Sequence, residues 1–149
     1  MSQSLFQVYL HVVFSTKKRR AYLQDFDLRH RLFAYLFSAC KGQGYLPIIV
    51  NGYVDHAHLL LGMGKTILPP DLIGEIKEDS SKWVKEQGLE RFYWQPGYGC
   101  FSVSASHVPA VKKYIADQEQ HHAHEDFETE YLRLLEKNGV AYDERYLWD

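Results

Sequence analysis

Cysteine is scarce in this 149-residue chain, with Cys40 and Cys100 as its only two. Two cysteines make no disulfide framework, and their separation is not a metal-ligand spacing. Proline and glycine, at 5 and 10 residues, nowhere gather into a linker or a low-complexity run. The uncharged stretch Gly44 to Val54 is too short to cross a bilayer. The start, Met1-Ser2-Gln3-Ser4-Leu5, has no basic region of the kind that opens a signal peptide. A membrane role is therefore not expected, and a cytoplasmic location is the default.

Neither sign of charge dominates, since the net value is −2. That small number hides an asymmetry. Residues 119–149 hold nine acidic and three basic side chains, while residues 1–118 hold ten acidic and fourteen basic ones. The positive charge gathers in Lys17-Lys18-Arg19-Arg20, in Arg29 and Arg31, and in Lys112-Lys113. Such a body suits a polyanion, with the acidic tail expected to face elsewhere.

What is abundant is apolar and aromatic: 46% hydrophobic residues, with eleven tyrosines. The length suits one domain with a real core. Leu5 to Ser15 is rich in β-branched and aromatic residues and reads as a strand. Asp27 to Lys41 reads as a helix capped by Asp25 or Asp27, with Leu32, Leu36 and Ala39 on one stripe. Tyr45 to Tyr53 is a second strand, and Asn51-Gly52 is a hairpin-type dipeptide. A third strand reaches Leu61. Pro69 or Pro70 opens a helix to about Glu86, with Leu72, Ile73, Ile76 and Trp83 inward. Cys100 to Ser104 is a short strand. Ser106 can cap a helix from His107 to about His122, and a last helix spans about Glu125 to Lys137. The order is β-α-β-β-α-β-α. This is an α+β chain with the ferredoxin-like (RRM-like) βαββαβ pattern: an antiparallel sheet with helices on one face and a C-terminal helical extension. The expected division over residues 1–149 is a core of about 5–105, a helix of about 107–122 and a tail helix of about 125–137.

The third strand carries the first chemical signal, His56-Ala57-His58. Alternation along a strand puts both imidazoles on one face and sends Ala57 and Leu59 into the core. Two imidazoles on a rigid strand are half of a metal site, or else a pair of surface histidines. The second signal lies on the helix from His107. Tyr114 and Gln118 are four apart and share a face. A neutral amide oxygen could add a third ligand and leave positions for phosphate oxygens. A tyrosine beside such an ion could attack phosphorus and keep the energy of the phosphodiester in a covalent bond. Taken alone, Tyr114 also reads as a packed aromatic and Gln118 as a surface residue.

The blocks together resemble the transposases of the insertion-sequence 200/605 type, the single-tyrosine HUH endonucleases. The resemblance rests on His11-Val12-Val13-Phe14, Thr16-Lys17-Lys18-Arg19-Arg20 and Asp55-His56-Ala57-His58-Leu59-Leu60. It continues through Ile76-Lys77, Ser80-Ser81-Lys82-Trp83, Trp94-Gln95-Pro96-Gly97-Tyr98-Gly99 and Phe101-Ser102-Val103-Ser104. It ends with Val111-Lys112-Lys113-Tyr114-Ile115, Gln118 and the tail Tyr142 to Asp149. Lys18 and Phe14 depart from it, where relatives often show Tyr and Trp.

The resemblance implies that His56, His58 and Gln118 hold Mg²⁺ or Mn²⁺. It implies that Tyr114 forms a 5′-phosphotyrosine on single-stranded DNA, near hairpins at element ends. It also implies a homodimer, in which the tyrosine helix can complete the partner's site. Lys17, Lys18, Arg19, Arg20, Lys112 and Lys113 are candidate DNA contacts. His121, His122 and His124 receive no role and read as a solvated helix end. The alternatives are a non-catalytic hairpin-binding module and a host-adopted nuclease acting on repeated chromosomal hairpins.

Overall fold

A computed structural model describes residues 2–148; Met1 and Asp149 lie outside the described residues. The sheet is built from β1 (Tyr9–Ser15), β2 (Leu46–Tyr53), β3 (His56–Gly62) and β4 (Gly99–Val103). Its order is β2-β3-β1-β4, and every neighbour is antiparallel. Helices α1 (Phe26–Gly42) and α2 (Pro69–Glu86) supply the crossovers. The βαββαβ reading therefore holds.

Period-two alternation divides the sheet into two differently used faces. Leu10, Val12 and Phe14 of β1 and Ala57, Leu59 and Leu61 of β3 point to one side. There they meet Leu32, Leu36 and Cys40 of α1 and Leu72, Ile73 and Ile76 of α2. The opposite face carries His11, Val13, Ser15, His56 and His58. The C-terminal extension covers it: α3 (Val108–Ala116), α4 (Gln118–His121) and α5 (Phe127–Lys137). Val13 and Phe101 pack there against Phe127, Tyr131, Leu134 and Leu135 of α5. A last turn, α6 (Glu144–Leu147), brings Leu147 and Trp148 against the same cluster.

Several boundaries differ from the sequence reading, each for a local reason. β1 starts at Tyr9 rather than Leu5, because β3 ends opposite Tyr9 and offers no partner beyond the bond from Met63 N to Val8 O (2.7 Å). Asn51-Gly52 is not the hairpin turn. Both residues lie within β2, paired with His58 and Ala57, and the turn is Val54-Asp55. Gly52 is needed for a different purpose: a Cβ there would run into the His56 carbonyl and come within 2.9 Å of Ala57 Cα.

The expected helix from His107 to His122 is interrupted at Asp117 (φ −92°, ψ 18°). The Asn51 side chain takes up the carbonyls released there, donating to Ile115 O (3.0 Å) and Ala116 O (3.3 Å). Ser106 does not cap α3. Its hydroxyl pairs with that of Ser104, and a 3-10 turn, Ala105–His107, leads into the helix. Among the described residues no helix is long and apolar enough to cross a membrane.

Candidate functional site

β3 delivers His56 and His58 to the covered face, and neither side chain is exposed. Each ring is held from behind. His56 Nδ1 lies 2.7 Å from Asp55 Oδ1, and His58 Nδ1 lies 2.8 Å from His11 Nε2 on the neighbouring strand. Such outer contacts fix ring orientation and leave the Nε2 atoms facing inward. His56 Nε2 meets Gln118 Oε1 at 2.8 Å, and His58 Nε2 meets Glu130 Oε1 at 3.1 Å. The Tyr114 hydroxyl donates to Glu130 Oε2, and Gln118 Nε2 donates to the same oxygen at 3.0 Å. His122 Nε2 closes the outer side, 3.1 Å from both Gln118 Oε1 and Glu130 Oε1.

The electrostatics follow from burial and these neighbours. Burial disfavours a charged His56, but Asp55 and Glu130 outweigh it and hold the imidazole up at about 9. Burial pushes His58 down, and burial with the His58 neighbour pushes His11 down to about 3, so these two are neutral. Burial alone would favour a neutral Glu130. The surrounding imidazoles of His58, His122 and His56 instead hold its carboxyl far below the usual range. Burial and the Glu130 carboxylate push the Tyr114 phenol well above its ordinary value. Arg133 acts against that rise, with Nη2 3.4 Å from the hydroxyl.

Among the described residues, two groups of side chains converge closely enough to hold a metal ion: His56, His58 and Glu130, and His121, His122 and Glu130. Beside Tyr114 a cavity of about 430 Å³ opens between β4, α3 and α5, with Phe101, Val111, Arg133 and Lys137 in its lining. A buried group of side chains able to hold a metal ion, a tyrosine at its edge and an adjoining cleft thus lie together on one face of the sheet.

A family model described as IS200-like transposase matches residues 4–118. The chain belongs to the IS200-like transposase family. A comparison with curated protein sequences finds no significant match. Several solved structures share the fold, two of them as follows. A candidate transposase from Deinococcus radiodurans R1 superposes with a TM-score of 0.63 at 22% identity, covering 79% of this chain and 98% of that one. A REP-associated tyrosine transposase bound to a REP hairpin superposes with a TM-score of 0.53 at 13% identity, covering 79% of this chain and 70% of that one.

In this IS200-like transposase His56, His58, Tyr114 and Gln118 meet at one point of a single chain, and α3 docks on its own sheet. Of the basic residues, Lys17, Lys18, Arg20, Lys112 and Lys113 lie at the surface, and Lys17 sits over the Tyr93 ring. Arg19 is already engaged, 2.6 Å from Glu128 and stacked on Trp148. Arg29 is not free for a polyanion either. It is buried and reaches Glu119 on α4 at 2.9 Å. The acidic tail does not face elsewhere, since it folds over the histidine face and places Glu130 at its centre.

His122 corrects the sequence reading further. Its side chain is 3% exposed and joins the cluster, whereas His124 is exposed. Glu130 is not singled out by the sequence, and His11 and Asp55 stand there only as members of longer blocks, with no role assigned. The signal for Glu130 was present, because it shares the stripe of Phe127, Tyr131 and Leu134, where an acid is out of place.

Proposed function

We propose that this chain cleaves and rejoins single-stranded DNA at the ends of an insertion element, with Tyr114 as nucleophile. The observation that carries the reading is the convergence of Tyr114 on His56, His58 and Gln118, beside a cleft open to a strand. His56 Nε2, His58 Nε2 and Gln118 Oε1 would hold Mg²⁺ or Mn²⁺. Their fit rests on the donor set: two imidazole nitrogens and one amide oxygen, buried and held from behind. When bound, the ion would withdraw charge from the phosphate and offset the negative charge that develops in the reaction.

The chain's own groups do the rest. The Tyr114 oxygen forms a bond to phosphorus while the bond from phosphorus to the 3′ oxygen breaks. The hydrogen bond to Glu130 Oε2 orients the Tyr114 hydroxyl, and the phenolic proton leaves to water as the new bond forms. The departing 3′ oxygen takes a proton from water, and the 5′ phosphate stays on the tyrosine. Rejoining is the same exchange in reverse with another 3′-OH. Arg133 stands beside the phenol to support its charge.

Surface Lys17, Lys18, Arg20, Lys112 and Lys113 are assigned to backbone phosphates, which position a strand without reading its sequence. A DNA hairpin is the proposed recognition element, supported by the hairpin bound to the REP-associated relative. A homodimer, each copy with its own centre, would bring two element ends together.

The test is incubation of the chain with single-stranded DNA from candidate element ends and Mg²⁺ or Mn²⁺, read on a denaturing gel. A protein–DNA adduct that vanishes in Tyr114→Phe and with a chelator is expected. Hairpin binding without any adduct would overturn the reading in favour of a non-catalytic binding module.

A further inference from the structure

We propose that Glu130 is itself a ligand of the divalent ion, binding through Oε1 and adding the one anionic donor to the centre. The inference rests on the metal reading of His56 and His58, and it adds a residue from α5, beyond the part of the chain matched by the family model.

Three observations carry it. The first is spacing. Glu130 Oε1 lies 3.1 Å from His58 Nε2 and 3.3 Å from His56 Nε2. Neighbouring ligands at right angles around an ion with bonds of about 2.1 Å are separated by roughly 3 Å. The atoms therefore stand at the separation that a shared ion imposes.

The second is the direction of lone pairs. Asp55 engages Nδ1 of His56, and His11 engages Nδ1 of His58. Once His56 gives up its Nε2 proton and each ring keeps only the hydrogen on that side, both Nε2 lone pairs point at the oxygens of Gln118 and Glu130. Electron pairs aimed at one another in a buried space call for a cation between them, a place the His56 proton fills without metal and a divalent ion fills on binding. The third is burial. Glu130 is wholly inaccessible on the apolar stripe of α5, where a carboxylate is costly unless paired or bound to metal. Imidazole nitrogens, with that of His56 deprotonated as the ion binds, an amide oxygen and one carboxylate also suit a divalent ion of intermediate hardness, and they leave it a net positive charge for phosphate.

The two oxygens of Glu130 then have separate partners. Oε1 faces the ion and Oε2 faces Tyr114, so one carboxylate sets the distance from nucleophile to metal. His122, 3.1 Å from Oε1, holds the carboxylate from its outer side.

The experiment titrates Mn²⁺ into the full chain, following free Mn²⁺ by electron paramagnetic resonance and the Mn²⁺-induced rise in melting temperature. Glu130→Gln, nearly isosteric, and Glu130→Ala are compared with wild type and with His56→Ala, and far-UV circular dichroism in chelator checks the fold of each. Glu130→Gln is expected to weaken Mn²⁺ binding on the order of 10–100-fold and to shrink the thermal rise. Wild-type affinity in both Glu130 variants, with binding lost in His56→Ala, would overturn the Glu130 assignment and leave the histidine reading standing. Unchanged binding in His56→Ala would bring down that underlying reading as well.

Discussion

The imidazoles of His11 and His58 sit on adjacent strands with centroids 5.1 Å apart and planes 26° from parallel, joined by a 2.8 Å contact between ring nitrogens. This contact stops His58 from turning about its side chain. His11→Ala should weaken Mn²⁺ binding by about tenfold or more while leaving the sheet intact, in line with outer partners of other metal ligands. Isothermal titration and circular dichroism would check both halves. Unchanged affinity would show that His11 merely packs.

Tyr114→Phe removes one oxygen and keeps the ring that lies 5.8 Å from His58. Covalent DNA attachment should fall below about one-thousandth of wild type, as expected when a nucleophile is lost. Hairpin affinity should stay within a few-fold by gel shift, because the surface cations are untouched. Nicking at the wild-type rate would remove Tyr114 from its role.

Two glycines should respond in opposite directions. Gly52→Ala forces a methyl group against the β3 backbone beside His56. It should lower stability by about 1–3 kcal/mol in urea unfolding and weaken metal binding with it. Gly74 lies inside α2, and a Cβ there meets nothing within 4 Å. Gly74→Ala should raise stability by about 0.5–1 kcal/mol through the reduced freedom of the unfolded chain. Equal effects at the two positions would contradict the close approach at Gly52.

The Arg29–Glu119 pair ties α1 to the segment that carries Gln118, and its effect should depend on pH. The Arg29 hydrogen bond holds the Glu119 carboxyl below its ordinary value near 4.5. A carboxyl with a lowered folded-state pKa stabilises the fold above its unfolded value and loses that contribution as pH falls through the folded value. Wild type should therefore melt above Glu119→Gln at neutral pH, and the gap should close as pH drops below 4.5. A gap that persists in acid would mean that the pair acts through packing alone.

The sheet and the histidine pair were legible because period-two alternation is a local property, written in Val12, Ala57 and Leu59 against His11, His56 and His58. The extent of α3 was not, since its end depends on Asn51, which lies far back in the chain and reaches the carbonyls of Ile115 and Ala116. The hairpin was misplaced for a related reason. Asn-Gly has turn propensity, but at Gly52 the demand is set by the backbone of β3 across the ladder. Glu130 and His122 reached the centre through the fold of the extension over the sheet, and no spacing near His56 encodes that docking.

All seven residues of β3 are buried, and the strand is hydrogen-bonded to β2 on one edge and β1 on the other. Its amides are placed to exchange with solvent only when the whole structure opens. Tyr114 rides instead on a nine-residue helix whose sole buried member is Ile115. A fully buried, doubly paired strand thus holds the histidines, while the Tyr114 hydroxyl is carried by a short helix with one buried side chain. Movement of that helix would leave the histidine strand in place.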